Sequence, residues 1–259
     1  MSDPTVWLEA VRRSHDRLSN LVTPLGAPEL RRQSGSSEWT VAQVLSHLGS
    51  QAEIFSLFVE SGLGGGAGPP QEAFEAIWDE WNARSPEDQA SRSFAANEAL
   101  VARIEGLGSE VLGAFHQDMF GRNVDAASLL RMRLSEHAVH TWDVAVAFDP
   151  SAEVAADAVE LLVDGLAQTA ERSGKPTGGN LDATIITESP DRKFRLRAGE
   201  DVRLELSGEA QDASRSIELP AEAFVRLVYG RVDGTHPPRG TVREAGVTVA
   251  DLVAIFPGF

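Results

Sequence analysis

Apolar residues recur at steps of three and four along the first 150 positions. Leu8, Val11, Leu18 and Val22, with His15 among them, mark one face of a helix near the N-terminus. A second helix begins at Thr40. Thr40 and Gln43 have the spacing of a capping box there, and Trp39 and Val44 that of a hydrophobic staple. Its apolar stripe is Val41, Val44, Leu45, Leu48, Ala52 and Phe55. The stretch 62–70, Gly-Leu-Gly-Gly-Gly-Ala-Gly-Pro-Pro, breaks that helix. It lacks the Lys-Ser/Thr of a phosphate loop and reads as a connector. Further helices are predicted around 74–81, from Pro86 to about 106, and from a cap at Asp125 to about 147, where Asp149-Pro150 closes the last.

Beyond Pro150 the period changes. One more helix is expected over 153–173, ending near Gly174 and Pro176. Short alternating runs follow at 183–187, 193–197, 202–207 and 216–219, separated by turn residues. Pro220 is expected to start a helix carrying Phe224, Leu227 and Val228, and another covers 249–256. The pattern predicts an all-α domain, a four-helix bundle over 1–150, joined to a small α+β domain over 151–259.

Composition narrows the function classes. The formal net charge of −16 opposes phosphate backbones and anionic lipid, so the partners expected are neither nucleic acid nor membrane. No run approaches the roughly 20 apolar residues of a membrane span, and Met1-Ser2-Asp3-Pro4 does not resemble a secretory signal, so a cytoplasmic protein is expected. There is no cysteine. Thiolate ligands and cysteine nucleophiles are thereby excluded, and any thiol chemistry must use a thiol from outside.

The candidate chemistry lies at Glu136-His137-Ala138-Val139-His140-Thr141-Trp142-Asp143. On a helix, Glu136, His140 and Asp143 fall within about 60° of one another, on the same side as Leu129, Met132 and Ala147. Two carboxylates and an imidazole thus point with residues that favour burial, and unpaired buried charge costs several kcal/mol. A divalent cation would compensate, since Glu and His at i, i+4 can reach one ion. A salt-bridge network with Arg133 or Arg131 would serve as well. His137, rotated about 60° from His140, is expected to pack or hydrogen-bond. His47, on the flank of the second helix beside Val44, Gln51 and Phe58, is a candidate third ligand. Three protein ligands leave one position open, as in catalytic zinc sites. His15 reads as wall of the same cavity, Asp143 as a partner of a ligand histidine or a surface ion pair, and His116 and His236 as loop residues.

The segment Trp39-Thr40-Val41-Ala42-Gln43-Val44-Leu45-Ser46-His47-Leu48 resembles the second-helix signature of the mycothiol-dependent maleylpyruvate isomerase family, part of the DinB-like superfamily of metal-binding bundles. Glu136 to Val144 resembles its other ligand helix. Leu227-Val228-Tyr229-Gly230-Arg231 and Phe256-Pro257-Gly258-Phe259 are similar to its C-terminal domain. The resemblance implies a divalent metal, zinc, on His47, Glu136 and His140. It further implies mycothiol, the actinobacterial low-molecular-weight thiol, at the open position. The substrate implied is a small electrophile such as an unsaturated keto acid. Thiol addition, bond rotation and elimination would isomerise it; release of the adduct would make the protein an S-transferase. Arg231 resembles an arginine that the family's C-terminal domain contributes to the active site. Its guanidinium suits a carboxylate or enolate, although a cation beside helix-end carbonyls is a common role too, and Arg226, Arg239 and Arg243 are near it in sequence. A metal-dependent hydrolase and a non-catalytic small-molecule binder are the competing classes.

Overall fold

The computed structural model describes residues 3–119, 121–207 and 213–258. Met1, Ser2 and Phe259, which entered the reading of the termini, lie outside the described residues. The chain forms two compact units, Met1–Ala152 and Glu153–Phe259.

In the first unit, α1 (Pro4–Val22), α2 (Ala27–Leu30), α3 (Val41–Leu63), α4 (Gln71–Asn82), α5 (Pro86–Glu105) and α6 (Gly108–Ala114) precede a hairpin of β1 (His116–Met119) and β2 (Arg122–Asp125), and then α7 (Ala126–Ala145). Four long helices close a bundle: α1 packs on α5 and α7, and α3 packs on the same two. The predicted stripes supply the core, with Leu18, Val22, Val41, Val44, Leu45, Leu48 and Val144 in one apolar cluster. The capping box at α3 is formed as expected. The Thr40 amide donates to Gln43 Oε1 at 2.8 Å, and the Gln43 amide donates to Thr40 Oγ1 at 3.3 Å. Asp125 caps α7 by accepting from the Ser128 amide at 2.8 Å.

His116 is not a loop residue: it opens β1, where it pairs with Asp125. The hairpin is hard to read because its inward positions include the polar, buried Gln117 beside Met119, which hides the apolar alternation.

In the second unit the expected single helix over 153–173 is two helices, α8 (Ala156–Leu162) and α9 (Leu166–Ser173), separated by a 3₁₀ turn at Val163–Gly165. The helix starts at Ala156, and the Val154 amide ahead of it donates to Glu222 Oε1 at 3.0 Å. The break falls at Gly165, a poor helix former. Strands β3 (Leu181–Glu188), β4 (Arg192–Ala198), β5 (Val202–Leu206) and β6 (Ser216–Pro220), helix α10 (Ala221–Val228), strand β7 (Arg243–Ala245) and helix α11 (Val249–Ile255) complete it. The sheet order is β5-β4-β3-β6-β7, with β3 and β6 parallel and the other pairs antiparallel. Ile185 faces Phe194 and Ile217 across the two central ladders, and Phe194 packs on Phe224 of α10 at 5.2 Å between ring centroids.

Candidate metal centre

Three side chains from two helices of the bundle converge. α3 contributes His47, held two turns in from its capping box. α7 contributes Glu136 and His140, one turn apart. Glu136 Oε2 lies 3.3 Å from His47 Nε2 and 3.6 Å from His140 Nε2. One donor atom from each of the three falls within 4.8 Å of the other two. Tetrahedral coordination with bonds of about 2.1 Å has donor atoms about 3.4 Å apart, so the carboxylate–imidazole spacings suit a small divalent cation. Two imidazoles and a carboxylate are also the donor chemistry that such an ion takes.

Behind the trio, His140 Nδ1 pairs with Asp143 Oδ2 at 2.8 Å. Asp143 is fully buried, so it is no surface ion pair. This contact directs Nε2 of His140 toward Glu136, the arrangement by which an outer carboxylate orients a ligand histidine. Without a cation, the two carboxylates hold a proton on His140, and a bound metal would take the place of that proton on Nε2. Burial alone would lower the His140 pKa, but hydrogen bonds with Asp143 and Glu136 outweigh it and raise the ring to about 9. Burial pushes the Glu136 carboxyl up, yet hydrogen bonds with both histidines hold it well below the usual carboxylate range. His47 is pushed down by burial, only partly offset by Glu136.

Trp39 adds a wall that the sequence reading treated only as a staple. Its ring stacks on His140 at 5.8 Å and lies 4.9 Å from His47. Its carbonyl accepts from the Ser34 amide, Ser34 Oγ and Gln33 Nε2. The loop carrying it is tied to α7 by the Gly35 amide, which donates to the Asp143 carbonyl at 2.7 Å. Only glycine fits there: a Cβ at position 35 would come within 2.7 Å of Val146 and 2.8 Å of Trp142.

Arg133 does not bridge to Glu136 directly. It is buried within the bundle, and Gln51 stands between the two: Arg133 Nη1 donates to Gln51 Oε1 at 2.8 Å, and Gln51 Nε2 donates to Glu136 Oε2 at 2.9 Å. Burial pulls the Arg133 pKa down to about 10, which still leaves it charged at neutral pH.

His137 behaves as a packed residue, its Nδ1 2.9 Å from Ser14 Oγ. His15 is drawn away from the trio toward α5, with its Nε2 3.3 Å from Glu98 Oε2. His236 is in a loop, where its amide donates to Asp233 Oδ1. In the second unit, Arg231 follows the last turn of α10 and donates from Nη1 to the Tyr229 carbonyl at 2.9 Å. Its neighbour Arg226 is buried, pairs with Glu222 at 2.7 Å, and binds the carbonyls of Arg231, His236 and Pro237.

No curated protein matches the chain by sequence. Among solved structures, it resembles a crystal structure of mycothiol-dependent maleylpyruvate isomerase, with 16% identity and a TM-score of 0.68 over 90% of this chain and 91% of that one. It is equally similar to a histidine-to-alanine mutant of mycothiol-dependent maleylpyruvate isomerase, again at 16% identity and a TM-score of 0.68, over 92% and 97% of the two chains. At that identity the likeness establishes the fold. Residues 11–145 match the mycothiol maleylpyruvate isomerase N-terminal domain, and the chain therefore belongs to the mycothiol-dependent maleylpyruvate isomerase family.

Proposed function

We propose that the chain is a zinc-dependent enzyme of the cytoplasm that uses mycothiol to act on a small unsaturated electrophile, a maleylpyruvate-like keto acid. The observation that carries this reading is the convergence of His47, Glu136 and His140, with donor atoms within 4.8 Å of one another, in the domain that matches the family's N-terminal domain. The metal, when bound, would favour the thiolate form of the cofactor, and reversible addition of that thiol would turn a cis double bond into a rotatable single bond.

The protein's own residues have definable parts. His47, Glu136 and His140 hold the cation. Asp143 keeps the Nδ1 proton of His140 so that Nε2 can ligate. The indole of Trp39 covers the two imidazoles and limits the access of water to them. Arg231 is proposed to stabilise the substrate carboxylate or the negative charge that grows on the keto oxygen. Its guanidinium stays charged at working pH and offers paired donors. Release of the thiol adduct in place of elimination would make the same site an S-transferase.

Metal analysis and a thiol-dependence assay on the purified chain test this together. About one divalent metal per chain is expected for a single three-ligand site. His47→Ala and His140→Ala should lose it while keeping their helical circular dichroism. Turnover of maleylpyruvate should require mycothiol and fall sharply in Arg231→Ala with the metal retained. Full metal occupancy in both histidine variants would remove the ligand assignment, and equal rates without thiol would point to a metal-dependent hydrolase.

A further inference from the structure

The side chains behind Glu136 form a directional chain through the bundle. It begins on α5, where Asn97 Nδ2 donates to the Ser93 carbonyl at 2.8 Å. With that amide group committed, Asn97 Oδ1 faces Arg133 and accepts from Nη2. The same Nη2 donates to the Leu48 carbonyl of α3 at 3.0 Å. Nη1 donates to Gln51 Oε1, and Gln51 Nε2 donates to Glu136 Oε2. Arg133 is 1% exposed, and these partners are a carbonyl and two side-chain amides, none of them charged.

The direction follows from elementary hydrogen-bond chemistry. A guanidinium can only donate, so the oxygens of Asn97 and Gln51 must both face it. The NH₂ group of Gln51 is then left pointing at Glu136. Turning the Gln51 amide over would set an oxygen against a carboxylate and an amino group against a guanidinium. Two charge-assisted bonds would become two repulsive contacts. Arg133 thus locks the orientation of a neutral residue that touches a ligand, while its own charge stays one side chain away.

We propose that Gln51 is a positioning residue for the metal ligand Glu136, and that Arg133, braced by Asn97 and the Leu48 carbonyl, fixes the sense in which Gln51 acts. The inference rests on the metal-site reading above. The two helices that supply the ligands are joined by it: Gln51 sits one turn beyond His47 on α3 and reaches Glu136 on α7. A carboxylate left without this donor keeps its charge but samples more orientations, and the ion must then order it on binding.

Gln51→Met keeps the length of the side chain and removes both hydrogen bonds. Zinc affinity of the full chain, read by competition with a chromophoric chelator at fixed pH, should weaken about 10–100-fold in Gln51→Met, as for other partners of metal ligands. The melting temperature of the chelator-treated protein should stay close to that of wild type. In an Arg133→Met background the same Gln51 substitution should cost much less, because the amide is no longer locked; Arg133→Gln, a neutral side chain that can donate or accept and so fixes no orientation, replaces Arg133→Met if that variant does not fold. A Gln51→Met protein that binds zinc like wild type overturns the inference while leaving the metal site standing. So does equal weakening in both backgrounds, or loss of fold in metal-free Gln51→Met, which would assign Gln51 to packing. A wild-type chain that takes up no divalent metal removes the metal-site reading and the inference with it.

Discussion

Asp143 is a carboxylate with no exposure to solvent, and its retention in a bundle core requires compensation. The imidazole of His140, one turn away at 2.8 Å, supplies part of it. Asp143→Asn preserves an oxygen that can accept from Nδ1 but removes the charge that would make the ring a stronger metal ligand in the proposed site. Zinc affinity is expected to fall about tenfold or more, measured against the same chelator; unchanged affinity would reduce Asp143 to a packing role. At this scale the candidate cluster was legible: an i, i+4 carboxylate–histidine pair on the apolar side of a helix is costly unless a cation or a salt-bridge network compensates it, and the structure brings donor atoms of His47, Glu136 and His140 within 4.8 Å of one another. Gln51 and Trp39 were not. A glutamine on a helix flank and a tryptophan before an N-cap have ordinary uses that the sequence alone does not distinguish from theirs here. The sequence is compatible with Arg133 as a direct partner for Glu136, because the intervening amide of Gln51 depends on how α3 and α7 pack, which periodicity does not encode.

The long helices were legible for a different reason: their stripes are buried whatever the detailed packing, and their caps are local. What periodicity misses is the close fit between elements. Gly49 on α3 is such a point. A Cβ there would collide with the indole ring of Trp81 on α4, and Trp81 is itself fully buried. Alanine favours a helix over glycine by about 1 kcal/mol, but overpacking costs about 1–3 kcal/mol when the neighbour cannot move. Gly49→Ala is therefore expected to lower the melting temperature of the protein by a few degrees in a thermal scan; an unchanged or raised value would show that α4 shifts freely. Strand β7 was missed because all three of its residues are exposed, so no apolar alternation marks it. The 3₁₀ break between α8 and α9 was missed because apolar residues run on through Val163 and Leu166, and a single turn of altered winding hardly disturbs the stripe.

Across the whole molecule, acidic residues outnumber basic ones, and no described helix is long and apolar enough to cross a membrane. Two further histidines inside the bundle, His15 on α1 and His137 on α7, contribute to its stability against acid. His15 is 5% exposed and His137 not at all, with ring centroids 6.2 Å apart; Nδ1 of His15 and Nε2 of His137 have no hydrogen-bond partner. Burial lowers the pKa of His15, with Glu98 and Asp16 opposing and Arg12 and Arg133 reinforcing. Burial pushes His137 well below its ordinary value, reinforced by Arg133, His15, His140 and Arg17. Both rings therefore bind protons less readily in the fold than in the unfolded chain, where a histidine titrates near pH 6.5. Above that pH neither state is protonated and the pair is without effect. As pH falls below 6.5 toward the folded values, the unfolded state binds more protons and stability drops, by up to about 1.4 kcal/mol per pH unit for each histidine. His15→Gln removes one of the two titrations. Denaturant unfolding of chelator-treated protein, followed by helical circular dichroism from pH 7.5 to 5, should show a shallower loss of stability in the variant than in wild type. The two should run parallel above about pH 7. Parallel curves down to pH 5 would mean that His15 is protonated as readily in the fold as in the open chain, and that Glu98 outweighs burial.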